Sequence, residues 1–178
     1  MKTPKNLLLE LRDVRQEDAD WMLAVENNPE FWIYGDTQTP YLIEDIELFI
    51  EESMHSDLMT QTQLRKIVCS DQLPIGMVDL FEIDHDHLRA GIGILIFDEA
   101  FRSKGVASWA ITVLEMFANK SLGLRQLSCS VRAGNEVGRQ LFTRLGYQLC
   151  GDRKDWYRLD ADSFENELLF QKFLINQA

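Results

Sequence analysis

No lysine or arginine stands between Gln16 and Leu64, a run of 49 residues that holds twelve acids. The stretch contributes −12 to a chain of formal charge −11, so the other 129 residues sum to +1. This excludes nucleic acid as a partner, because neutralising phosphates takes clustered cations, and it suits a cationic guest instead. Cysteine is scarce. Cys69, Cys129 and Cys150 are odd in number and form no C-x-x-C pair, which reads as reduced core residues of a cytoplasmic protein. The longest apolar runs, such as Ile92 to Phe97, fall far short of a membrane span. Met1 to Leu11 has no cleavable apolar core, so no membrane or secretory role is expected. Internal repeats and low-complexity linkers are also missing. The 178 residues, 46 % of them hydrophobic, are therefore expected to form a single domain over 1–178.

The periodicity alternates between strand and helix. A first strand is expected over Asn6–Arg12 and a helix over Gln16–Asn27, with Asp13 as its cap. Thr39-Pro40 predicts a second helix from about Pro40 to Met54, with Ile43, Ile46 and Ile50 on one face and Glu44, Glu47 and Glu51 on another. Leu64–Ser70, Ile75–Ile83 and Leu88–Phe97 read as an antiparallel meander, its last strand covered on both faces. Val106, Ala110, Val113, Leu114 and Phe117 mark a strong amphipathic helix ended at Asn119-Lys120. A strand over Gln126–Val131, a helix over Asn135–Leu145, and strands over Tyr147–Gly151 and Phe164–Leu174 complete an α/β (α+β) domain with a mixed sheet.

One segment carries ligand chemistry of its own. Arg102-Ser103-Lys104-Gly105-Val106-Ala107 follows an apolar strand and opens a helix, where free N–H groups and the helix dipole can hold a phosphate. Between Arg102 and Arg144 there are seven basic and two acidic residues, a local +5, so a compact polyanion is the expected guest.

With that loop, Asn135-Glu136-Val137-Gly138-Arg139-Gln140-Leu141-Phe142-Thr143-Arg144-Leu145-Gly146-Tyr147 resembles the second signature of the GNAT family of acyl-CoA-dependent N-acetyltransferases. The segment Gly76 to His87 looks like the strand hairpin of the spermidine/diamine branch, and Asn27-Asn28 stands where that branch carries a similar pair. The resemblance implies a GNAT fold, a mostly antiparallel sheet of about seven strands flanked by about four helices. It implies acetyl-CoA as co-substrate, with no metal. The backbone of Ile94, Leu95 and Ile96 would take the pantetheine arm like an added strand, Arg102 to Ala107 would hold the pyrophosphate, Asn135 would lie near the thiol, and Arg139 or Arg144 could reach phosphates. A homo-oligomer is compatible with the resemblance, although no residue pattern shows one.

Acetyl transfer to an amine needs a neutral nitrogen, a polarised thioester carbonyl and a proton for the leaving thiolate. The chain departs from the family on two points. Phe142 stands where the family's proton-donating tyrosine stands, and Gly91-Ile92-Gly93 occupies the place of a fourth-strand glutamate of the polyamine branch. Tyr157 and Tyr34 are alternative acids, with water as the third. Asp79 is the candidate for binding or deprotonating the amine through water, and Asn28, Tyr34 and Glu82 are candidate acceptor contacts. Asp84-His85-Asp86-His87 reads as a solvated turn rather than a metal site. A polyamine or diamine is the first-choice acceptor; a protein N-terminus or an aminoglycoside is the second. A non-catalytic sensor of CoA or polyamine is the rival from another class.

Overall fold

The computed structural model describes residues 7–32 and 39–174. Seven strands form one sheet in the order β1-β2-β3-β4-β5-β7-β6, with β1 Leu9–Asp13, β2 Leu64–Ser70, β3 Leu73–Asp84, β4 Arg89–Leu95, β5 Gln126–Arg132, β6 Gln148–Arg158 and β7 Phe164–Phe173. All neighbours run antiparallel except β4 and β5. Helices α1 (Ala19–Glu26), a short α2 (Pro29–Trp32), α3 (Ile43–His55), α4 (Val106–Lys120) and α5 (Glu136–Arg144) flank it. The expected fold class and the meander are borne out, β2 to the residue.

Residues two apart on a strand share a face, and this divides the molecule. Val68, Val78, Leu80 and Ile92 lie in the larger core with Ala110, Ile111 and Leu114 of α4. Ile67, Cys69 and Met77 lie on the other face, covered by Met22 of α1 and Ile46 and Ile50 of α3. Ile50, Ile111 and Leu114 are completely buried, so truncating any of them to alanine costs about 2–5 kcal/mol.

Several boundaries differ from expectation for identifiable reasons. Helix α3 begins at Ile43 rather than Pro40, because Asp45 Oδ2 accepts the Leu42 N–H (2.9 Å) and the Asn27 side chain clamps the backbone of Tyr41. Asp13 caps nothing; it pairs with Lys66, and the first helix opens through a 3-10 turn over Gln16–Asp18. Strand β3 starts at Leu73, since Asp71 and Gln72, at φ 49° and 69°, complete a two-residue hairpin turn by themselves. Strand β6 runs seven residues beyond the expected Gly151, as the exposed sheet edge. Cys150 on that edge is exposed, which corrects its reading as a core residue; Cys69 and Cys129 are buried, and burial pushes both thiols up. Ile94 and Leu95 are half-buried, so the fourth strand is not covered on both faces along its length.

Candidate active site

The parallel pair β4/β5 makes only three pairings, Arg89 with Gln126, Ala90 with Leu127 and Gly91 with Ser128. Beyond Gly91 the strands part, while β4 stays paired to β3 as far as Leu95. The N–H and C=O groups of β4 that would have served β5 are left facing the opening, which is the arrangement an inserted ligand strand requires. Ile94 and Leu95 lie on this stretch. Ile96 does not, because it follows the strand and its carbonyl accepts Arg102 Nε (2.9 Å).

The loop after β4 leads into α4 through Gly105, whose φ of 81° favours glycine. Glycine at the cap has no side chain to occupy the first-turn N–H groups of Val106, Ala107 and Ser108, which leaves them for an anion. Lys104 and Ser103 are exposed beside them. Arg102 departs from its expected role. Its guanidinium bonds to the carbonyls of Ile96 and Phe97 and to Glu99 Oε1 (2.9 Å), and it lies over Phe31, so the side chain braces the loop instead of facing a phosphate.

At the start of α5, Asn135 Oδ1 accepts the Gly138 N–H at 2.9 Å, a helix cap. Arg139 Nε is buried with no partner among the described residues, whereas Arg144 Nε is spent on Gln140 O of its own helix. Phe142 is buried with its ring edge-on to Tyr147 at 5.1 Å. The Tyr147 hydroxyl is pushed up by burial and by the neighbouring Glu115 carboxylate, so it is no proton source at neutral pH. Tyr157 lies over Arg132, 4.2 Å from guanidinium carbon to ring centroid, and its hydroxyl donates to Glu167 Oε1 at 2.6 Å. Glu167 is buried and also takes Arg153 at 2.6 Å.

Across the sheet, Asp79 pairs in register with Gly93 on β4 and with Arg65 on β2. The Arg65 fork closes on it, Nε to Oδ1 at 2.7 Å and the second terminal nitrogen to Oδ2 at 2.8 Å, while the first terminal nitrogen reaches Glu26 Oε1 at 2.5 Å. Burial lowers the Arg65 pKa, but Asp79 and then Glu26 outweigh it and the guanidinium ends above its usual value. Two carboxylates and one guanidinium leave one net negative charge. Phe81, next on the same face, covers the glycines opposite it: a methyl group at Gly91 would stand 2.6 Å from ring Cδ2 and closer still to two other ring atoms. Beside this group lies a shelf of two glycines beneath a phenyl ring, with carboxylates standing on β3 and α1.

Glu26 and Arg65 were missed in the sequence. The signals were a carboxylate on the last residue of a helix, where the dipole disfavours it, and the first cation, Arg65, after the cation-free run. Of the expected acceptor contacts, Asn28 accepts the Glu30 N–H and caps α2. Glu82 is exposed at φ 49° on the β3 bulge, three residues beyond Asp79. Tyr34 lies outside the described residues. Among the described residues no group of three His, Cys, Asp or Glu could hold a metal, and Asp84 is bonded to His87 and Arg89 in its turn. No described helix is long and apolar enough to cross a membrane.

A mixed sheet splayed beside a glycine-led helix start defines an acyl-CoA-binding transferase. Residues 9–148 match the family model of the acetyltransferase (GNAT) domain, and the chain belongs to that family of acetyl-CoA-dependent acetyltransferases. Among curated proteins it is similar to the spermidine N(1)-acetyltransferase of Escherichia coli (strain K12), 29 % identical over 146 residues that cover 81 % of this chain and 75 % of the relative. Among solved structures it superposes on the Vibrio cholerae spermidine N-acetyltransferase in complex with CoA and spermine, with a TM-score of 0.81 and 21 % identity over 93 % of this chain and 95 % of that one. A dodecameric structure of the Vibrio cholerae enzyme matches at a TM-score of 0.76 and 20 % identity, covering 93 % and 94 %. These structures share its fold.

Proposed function

We propose that the chain transfers an acetyl group from acetyl-CoA to a primary amine of a polyamine or diamine, by direct attack in a ternary complex. The observation that carries this reading is the register of Asp79 opposite Gly93, which sets the net negative Glu26–Arg65–Asp79 group beside the open stretch of β4. The spermidine acetyltransferase relatives point to the same acceptor.

In this reading Ile94 and Leu95 bond the pantetheine arm, and the N–H groups from Ser103 to Ala107 with Lys104 hold the pyrophosphate. Asn135 faces the arm near its thiol, and Arg139 supplies a cation. Asp79 attracts the ammonium, which loses its proton to water before the neutral nitrogen attacks the thioester carbon. The C–S bond breaks, the thiolate leaves, and the nitrogen gives up its remaining extra proton to solvent as the amide forms. A CoA thiol has an ordinary thiol pKa, roughly 8.5, so this departure is tolerable without a side-chain acid. The Tyr157 proton is directed at Glu167, which favours solvent as the donor to the thiolate. Direct attack calls for no metal.

Residues 1–178 act as one catalytic unit in the cytoplasm, a placement supported by the free state of all three cysteines. The chain self-associates, as the dodecameric neighbour does. Incubation with radiolabelled acetyl-CoA and a panel of spermidine, putrescine, a model peptide and an aminoglycoside tests the acceptor. Saturable label on the polyamines is expected, and label on peptide alone overturns the reading.

A further inference from the structure

Glu26 sits where a helix least favours a carboxylate. It is the last residue of α1, whose C-terminal carbonyls carry about half a negative charge. Arg65 touches it with a single nitrogen at 2.5 Å, while the other two guanidinium nitrogens take both oxygens of Asp79. The fork thus matches Asp79 by both oxygens and Glu26 by one only. The second Glu26 oxygen, Oε2, meets no donor among the described residues. Phe49 lies over the guanidinium at 5.3 Å and limits its swing. The side chains of Arg65, Glu26 and Asp79 are 18, 21 and 27 % exposed, so the group is reached from solvent and is not sealed in the core. The nearby shelf of Gly91 and Gly93 under Phe81 presents carbon and no polar side chain, which suits a methylene chain.

We propose that Glu26 is a specificity-determining residue: it receives the second ammonium of the acceptor, the one that does not react, and thereby separates amines with a distal cation from simple monoamines. Arg65 is a positioning residue. It fixes both carboxylates from the β2 side and sets the local charge at −1, leaving Glu26 Oε2 and the end of α1 to face the incoming cation. The inference rests on the polyamine reading above.

The test compares KM and kcat of the wild type and Glu26→Gln for putrescine, spermidine and a monoamine of the same carbon length. Glutamine keeps an oxygen for Arg65 and removes only the charge. Loss of one charge-assisted contact is expected to raise KM for putrescine and spermidine about tenfold, with kcat held within about twofold and a clearly smaller rise in KM for the monoamine. Glu26→Asp retracts the charge by one methylene and is expected to give a smaller rise of the same selectivity. Arg65→Lys keeps the charge but loses the fork, and is expected to raise KM for the diamine more than for the monoamine. An unchanged diamine-to-monoamine KM ratio in Glu26→Gln, or an equal fall of kcat for all three amines, overturns the inference and leaves the polyamine reading standing. Transfer by the wild type to none of the amines overturns the polyamine reading itself.

Discussion

Phe81 and Gly91 are packed so closely that the glycine's missing side chain is part of the phenyl ring's seat. The pair stands in register across β3 and β4, and the bulge that follows at Glu82 holds Phe81 over the shelf. A methyl group at 91 meets the far end of a half-free ring, so the ring turns away instead of the backbone. Gly91→Ala is therefore expected to cost about 1 kcal/mol or less and to raise KM for the amine. Phe81→Ala in the same chain is expected to recover most of the stability but not the KM. A double-mutant cycle by urea unfolding and steady-state kinetics checks both.

The Arg12–Asp18 pair ties β1 to the entry of α1. Asp18 is buried, and burial by itself would raise its pKa; the two Arg12 contacts at 2.7 Å, Trp21 Nε1 and the Arg15 N–H outweigh this and hold it below its ordinary value. A depressed carboxylate contributes stability that is fully present above its unfolded pKa of about 3.9 and lost as pH falls through the folded value. Urea midpoints of the wild type are thus expected to fall steeply below about pH 4. Asp18→Asn strands Arg12, is expected to lose about 3 kcal/mol or more at pH 7, and flattens the acid limb.

Phe142 has no proton for a leaving thiolate. Its burial beside Tyr147 leaves the ring a fixed orientation, and under the proposed function that position lies near the thiol. Phe142→Tyr is expected to raise kcat about tenfold or more and to make kcat depend on a new ionisation on its alkaline side. Single-turnover acetyl transfer across pH 6–10 checks this. An unaltered kcat shows that thiolate departure to solvent does not limit the rate.

Strands β2, β4, β5 and β7 were legible to within a few residues because their apolar periodicity survives burial. Strand β6 was not, because Asp152-Arg153-Lys154-Asp155 has no apolar alternation and a sheet edge needs none. The start of α3 was misplaced by a persuasive Thr39-Pro40, when the controlling contact was Asp45 reaching back to Leu42. The glycine-led start of α4 was readable because backbone and a glycine make it, all within six residues. The Glu26–Arg65–Asp79 group was only one-third visible. Its contacts span 39 and 14 residues of sequence, so the pairing exists only once α1 and the meander are assembled.

The brief meeting of β4 and β5 also governs stiffness. A four-stranded block (β1 to β4) and a three-stranded block (β5, β7, β6) share one sheet through three residue pairs, with α4 and the core beneath as the remaining bond between them. A ligand laid along the open stretch of β4 supplies rungs that the polypeptide itself omits. Under the proposed function the co-substrate lies along the line where the polypeptide has fewest rungs, so occupancy would tie the two blocks together.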